Sequence, residues 1–179
     1  MHGLIFVELK KFVVARLGEA AWRELLSRAG LQGREYLPVQ EHPDAEAIAL
    51  MAEASVRTGL DGDALLQLLG EFMAPDLLRM YGSLLRREWK TLDIVEHTES
   101  TIHRVLRVRN PEAGAVAMRA ERRGPDEVTL TYASPRRMCG LAKGIVRGLA
   151  AHFHERVRIA ESACMHQGAP ACRIRIERF

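Results

Sequence analysis

One stretch, Thr91 to Arg136, constrains this chain more than any other, because it joins a helical histidine to a strand that ends in polar, anion-gripping residues. At roughly 100° per residue, Leu92, Val95, Glu99, Ile102 and Leu106 fall on one stripe of a helix, and His103 lies at the edge of that stripe, turned the same way. One imidazole is therefore held against an apolar interior. Further on, period-two alternation puts Val128, Leu130, Tyr132, Ser134 and Arg136 on one face of a strand, so an apolar run closes in two hydroxyls and a guanidinium. An imidazole near such a cluster suits a flat apolar cofactor with an acidic edge. Taken singly, each half has a plainer reading: His103 as a hydrogen-bonded core or surface histidine, and Tyr132 to Arg136 as an ordinary strand end.

The rest of the chain agrees with one folded unit. At 179 residues, 47% hydrophobic and 27% charged, it has enough apolar material for a sizeable core, which argues against disorder or a fibre. The net charge is only +3, with basic residues scattered in small clusters at Arg86-Arg87, Arg122-Arg123 and Arg136-Arg137, too thin for a nucleic-acid surface. The apolar N-terminus carries Glu8, Lys10 and Lys11, and no run reaches the roughly 18 apolar residues of a membrane span, so a cytoplasmic location is expected. Three cysteines, an odd number, read in a reducing compartment as thiols or metal ligands rather than structural disulfides.

The periodicity predicts helices over 2–17 and 19–29, parted at Gly18, then a loop over 30–42. Pro43 suits the first position of a helix that Gly59 stops, and Asp61 suits the N-cap of a strongly apolar helix that Pro75 bends or ends. A further segment, 76–90, leads into the His103 helix. After Asn110-Pro111 the pattern changes to a hairpin of 114–122 and 127–134, a helix over 139–154 and a second hairpin of 156–164 and 171–178. The expected class is α+β, one domain over 1–179, with a helical lobe over about 1–60 and a mixed lobe over about 61–179.

His103 and Tyr132 are also where the chain resembles a known family, the H-NOX (haem nitric oxide/oxygen binding) domains. The spacing of 29 positions between them and the Tyr-x-Ser-x-Arg signature beginning at Tyr132 carry the resemblance, which runs from Met1-His2-Gly3-Leu4-Ile5 through Gly70, Phe72 and Tyr81 to the last, cysteine-rich hairpin. It implies the H-NOX fold, with a four-stranded antiparallel sheet and helices enclosing haem b, with His103 as the proximal iron ligand and Tyr132, Ser134 and Arg136 on the propionates. Imidazole is a good axial ligand for haem iron, and a guanidinium can grip a carboxylate through two charge-assisted bonds. His97 lies six positions before His103, on the opposite side of the helix, and does not match the family spacing. Glu99 and His103 are an i, i+4 pair of a kind that can bind a non-haem metal, but Glu99 reads rather as a helix ion-pair partner or as a residue near the haem edge.

By the same resemblance the distal side is built from the first helix and the helix after the signature. Family members that hold oxygen stably carry a tyrosine where this chain has Leu141, so Leu4, Ile5, Leu9 and Leu141 leave the distal pocket without a side-chain donor. Bound oxygen needs such a donor, whereas nitric oxide does not, so nitric oxide and carbon monoxide are the expected ligands. Val116 stands where the family usually has a proline that presses on the haem.

Cys139, Cys164 and Cys172 form a second constellation. Cys164 and Cys172 are equidistant from Gly168, so a symmetric hairpin sets them opposite each other, and Cys139 opens the neighbouring helix. The resemblance implies zinc, since several bacterial members hold it with three such cysteines and a histidine; here Glu161 stands at the histidine's place, leaving Glu161, His166 or water as the fourth ligand. The plainer reading is three buried thiols. With no nucleophile, base and orienter set in view, the chain reads as a gas-sensing regulator rather than an enzyme. Its expected output is to a separate protein such as a histidine kinase or cyclic-dinucleotide enzyme. A haem-free thiol/zinc redox sensor on the same fold is the alternative, and an apolar-ligand carrier a third reading.

Overall fold

The structure is a computed structural model that describes residues 1–109 and 116–179. Asn110-Pro111 and the first two positions of the predicted strand over 114–122 lie outside the described residues. Helix α1 (Gly3–Leu17) is capped by His2, whose Nδ1 accepts from the Leu4 amide at 3.3 Å. Gly3 is required there because the loop before α3 crosses it, and a Cβ would lie 1.9 Å from the Leu37 carbonyl oxygen. Helix α2 (Glu19–Arg28) follows at once. Helix α3 (Asp44–Thr58) starts one residue later than expected, with Pro43 as its N-cap, and stops at Gly59 in the left-handed conformation.

Helix α4 (Gly62–Tyr81) begins where Asp61 accepts from the Ala64 amide at 2.8 Å, but Pro75 does not end it. A proline inside a helix costs about 3 kcal/mol, while each fully buried large apolar side chain contributes about 1.5–3 kcal/mol. Leu65, Leu69 and Met73 are buried before the proline, and Leu77 and Leu78 pack against the two cores after it, so burial outweighs the break. Most of the segment expected to be separate is the last turn and a half of α4 and a short 3-10 turn, Gly82–Leu84.

The His103 helix is not uniform. It runs as α5 (Thr91–His97), a π-helical turn (Glu99–His103) and α6 (Arg104–Arg109). Thr98 Oγ1 donates to the Ile94 carbonyl at 2.6 Å and Thr101 Oγ1 to the His97 carbonyl at 2.7 Å, a back-bonding pattern that loosens the ladder; the His103 amide reaches the Thr98 carbonyl at 3.0 Å.

Strands β1 (Ala117–Gly124), β2 (Glu127–Ala133), β3 (Val157–Ala163) and β4 (Cys172–Arg178) form an antiparallel sheet in the order β1-β2-β4-β3, and α7 (Cys139–His152) connects β2 to β3. Val128 pairs with Ile176, Leu130 with Ile174 and Tyr132 with Cys172, all buried on the face that α5 and α7 cover. A second core joins α1 to α4 around Phe6, Leu25, Leu50, Leu69 and Met73. The fold is thus the expected α+β arrangement of helices and a four-stranded antiparallel sheet.

The two cores meet along α4 and α7, whose backbones nearly touch. A Cβ on Gly144 would lie 2.1 Å from the Gln67 carbonyl oxygen, one on Gly148 2.5 Å from Ala74 Cβ, and one on Gly70 2.4 Å from the Leu141 carbonyl oxygen. Gly140, Gly144 and Gly148 recur every four residues, one face of a helix, so α7 presents a bare groove to α4.

Candidate functional site

At the junction of the cores lies an apolar cavity of about 300 Å³. The start of α1 supplies Leu4 and Ile5, α4 supplies Met73 and Leu77, α7 supplies Leu141 and Ile145, and the sheet supplies Leu130 and Tyr132. His103 enters from the π turn. Leu9, expected with Leu4 and Ile5, lies one turn beyond Ile5 on the same side of α1, about 6 Å further along the axis, which takes it past the main cavity into the helical core, where it lines a separate cavity of about 170 Å³. Val116 and Tyr81 also line the main cavity; Tyr81, at the end of α4, was not assigned to it on sequence grounds because an extra segment was expected there.

His103 Nδ1 lies 3.0 Å from Glu99 Oε2. A carboxylate accepts, so the proton sits on Nδ1 and the lone pair of Nε2 is left as the ring's ligating position. Glu99 Oε1 pairs in turn with Arg107 at 2.5 Å. His97 is turned away, with Nδ1 on the Asp93 carbonyl oxygen at 2.8 Å and its ring stacked on Trp89, outside the cavity lining.

Tyr132 and Ser134 are buried at the cavity's polar end, where Ser134 Oγ accepts from the Arg136 amide at 3.2 Å. Burial raises the Tyr132 phenol above its ordinary pKa, against the opposing effect of hydrogen bonding with Ser134 and the Met138 backbone, so it stays a neutral hydroxyl. Arg136 Nε donates to Asp44 Oδ2 at 2.8 Å, tying the signature to the start of α3. Asp44 also meets the Met1 ammonium at 2.8 Å; burial works to raise its pKa, but the Arg136 and Met1 contacts prevail and hold it below the usual carboxylate range. His2 also lines the cavity, its Nδ1 taken up by the Leu4 amide in capping α1. An apolar slot with the imidazole of His103 and a hydroxyl, hydroxyl, guanidinium edge is the donor set a haem needs.

The cysteines converge on the other side of Tyr132. Cys139 Sγ lies 3.9 Å and Cys172 Sγ 3.8 Å from Cys164 Sγ, and all three are buried. Burial pushes the Cys139 and Cys172 thiols up; the neighbouring thiols add to the rise at Cys139, while at Cys172 the Met165 amide and Cys139 oppose it without reversing it, so both are protonated at neutral pH when no cation is present. Glu161 joins them: its ligating oxygen and the three sulfurs all lie within 4.8 Å of one another. Glu161 Oε2 accepts from Lys143 Nζ at 3.2 Å, while Oε1 is buried with no hydrogen-bond partner. Lys143 also reaches Asp63 at the start of α4, at 3.2 Å. His166, weighed as a fourth ligand, instead places Nε2 2.8 Å from the Arg137 carbonyl oxygen and is not in the set. Three soft sulfurs and an orphaned carboxylate oxygen fit a tetrahedral zinc.

Among the described residues, no helix is long and apolar enough to cross a membrane. The Haem-NO-binding family model matches residues 2–161. No curated protein matches the sequence. Among solved structures, the chain is similar to an H-NOX protein from S. oneidensis in the Fe(II)NO ligation state, 26% identical with a TM-score of 0.92 over 100% of this chain and 99% of that one. An NMR structure of an H-NOX domain from Shewanella oneidensis in the Fe(II)CO ligation state matches at 26% identity, TM-score 0.89 and 100% of this chain. An unliganded Fe(II) H-NOX protein from K. algicida shares the fold at 21% identity, TM-score 0.85, over 100% of this chain and 97% of that one.

Proposed function

Since this chain belongs to the Haem-NO-binding family, whose model matches most of its length, we propose that it is a haem-based gas sensor, a single domain over 1–179 that takes nitric oxide and carbon monoxide and signals to a separate protein. The relatives' ligation states with nitric oxide and carbon monoxide support the ligand class. The observation that carries the reading is the juxtaposition of His103, with Nδ1 occupied by Glu99, and the Tyr132, Ser134, Arg136 edge on one apolar cavity. Haem b would supply a ferrous centre with an open coordination position for the gas. His103 would hold the iron through Nε2, Arg136 and the two hydroxyls would bind the propionates, and Leu4, Ile5 and Leu141 would exclude water without donating a hydrogen bond. Such a pocket favours nitric oxide over oxygen. The role is regulatory rather than catalytic, and its output fits a partner such as a histidine kinase or cyclic-dinucleotide enzyme. The three unpaired thiols fit a reducing, cytoplasmic setting.

The test is the absorption spectrum of the purified protein. A Soret band that shifts on adding nitric oxide or carbon monoxide to the reduced protein, with no long-lived oxygen complex in air, is expected. Protein that takes up no haem on reconstitution would overturn the reading.

A second site accompanies the first. The orphaned Glu161 Oε1 beside three buried sulfurs supports zinc held by Cys139, Cys164, Cys172 and Glu161. Zinc would let the crowded thiols deprotonate together, which their mutual repulsion otherwise opposes.

A further inference from the structure

The stripe formed by Glu99, His103 and Arg107 is a chain of charge-assisted contacts that ends on the ring nitrogen opposite the cavity's ligand position. Glu99 uses both oxygens, Oε2 on His103 Nδ1 at 3.0 Å and Oε1 on Arg107 at 2.5 Å. Arg107 is eight residues beyond Glu99, about 12 Å along a helix axis, so its side chain reaches back past His103 to make the contact. The π turn sets this geometry, since it ends at His103 and begins at Glu99. Resting on the haem reading above, we propose that Glu99 is a positioning residue that strengthens His103 as an iron ligand, and that Arg107 moderates this effect, so the pair would set how firmly His103 holds the iron when a gas ligand is bound.

The physical argument is short. A carboxylate accepting from Nδ1–H pulls the proton toward itself and leaves more electron density on Nε2, which makes the imidazole a stronger donor. A guanidinium on the carboxylate's other oxygen withdraws charge and weakens that pull. Glu99 and Arg107 are partly exposed, 32% and 49%, so solvent screens both effects and the result is graded rather than all-or-none. A ligand can shift a conformational equilibrium only through its different affinity for the two states, so the strength of the histidine bond sets the size of that difference.

The experiment measures the iron–histidine stretching band of the ferrous, unliganded holoprotein by resonance Raman. Glu99→Gln should move the band down, Glu99→Asp should restore part of the shift, and Arg107→Ala should move it up. The nitric oxide complex should become more fully five-coordinate in Glu99→Gln and less so in Arg107→Ala, by electron paramagnetic resonance. Opposite signs separate this role from loosened packing, which would move both variants the same way. Bands unshifted in both variants, or shifted together, overturn the proposal while leaving His103 as ligand. Loss of the band from the wild-type protein overturns the ligand assignment itself. Haem content and circular dichroism of each variant confirm that it is folded.

Discussion

Tyr132 and Cys172 stand opposite each other in the antiparallel ladder of β2 and β4. One belongs to the polar edge of the cavity and the other to the thiol cluster, so the two candidate sites share one rung of the sheet. In antiparallel pairs, directly opposed side chains are the closest neighbours on a face, and a change in one displaces the other.

The shared rung predicts that the two sites are coupled. Protein purified without added metal should carry roughly one zinc per chain, measured by elemental analysis. Glu161→Ala should lower this occupancy, and removing the metal with a chelator should speed haem loss to an acceptor protein. Three freely titrating thiols and no metal would return the cysteines to a packing role.

His103→Ala should lose haem during purification and regain it when imidazole is supplied, because among the described residues lining the cavity no other side chain has the carboxylate-set ring of His103. Retained haem without imidazole would place the ligand elsewhere.

Arg136→Ala should weaken haem retention more than Ser134→Ala. The first leaves a propionate without its bidentate partner and the second removes one neutral hydroxyl, a gap of roughly 1–2 kcal/mol, or about tenfold in loss rate. Equal rates for the two variants would mean that the propionates point elsewhere.

The Asp44–Arg136 contact adds a pH signature. Asp44 sits below the usual carboxylate range in the folded chain but titrates near ~3.9 once unfolded, so the unfolded state binds more protons in between. The stability it contributes is complete above about pH 5 and is lost as pH falls through the lower, folded value. Urea midpoints of wild type and Asp44→Asn should therefore differ at neutral pH and converge in acid. A gap that persists unchanged into acid would show that the carboxylate's charge is not what stabilises the contact.

Gly144→Ala should destabilise the fold by roughly 1–3 kcal/mol, because the new methyl would meet the Gln67 backbone at 2.1 Å, where no flexible side chain can give way. The fall in melting temperature measures it. Gly62, with open space around its Cβ position, serves as the control.

Much of this was legible in the sequence, and the exceptions have physical causes. The sheet and the inward faces of β2 and β4 follow from strict alternation, and Cys164 and Cys172 came together because their spacing about Gly168 matches a hairpin. Pro75 misled because helix-breaking is a local rule and α4 is held on both sides of the proline by tertiary packing. The π turn was missed because periodicity assumes one pitch; the signal was the hydroxyl run Thr98, Ser100 and Thr101 before His103. Leu9 was assigned to the cavity by its place on α1, whereas α1 meets the cavity only at its first turn, through Leu4 and Ile5. The glycines of α7 were in plain view every four residues, but a stripe of small residues announces close approach without naming the partner, and α4 lies too far away in sequence to be inferred.

The bare groove between α4 and α7 has a mechanical consequence. Side chains between helices act as a cushion, since each can change rotamer and absorb a small displacement, whereas carbonyls against α-carbons have no such slack. Leu141 on the cavity wall lies one residue from Gly140 and three from Gly144, and across the seam α4 carries Leu65, Leu69 and Met73 into the helical core. A push on the cavity wall is therefore transmitted to that core as motion of a stiff two-helix beam, with little lost along the way.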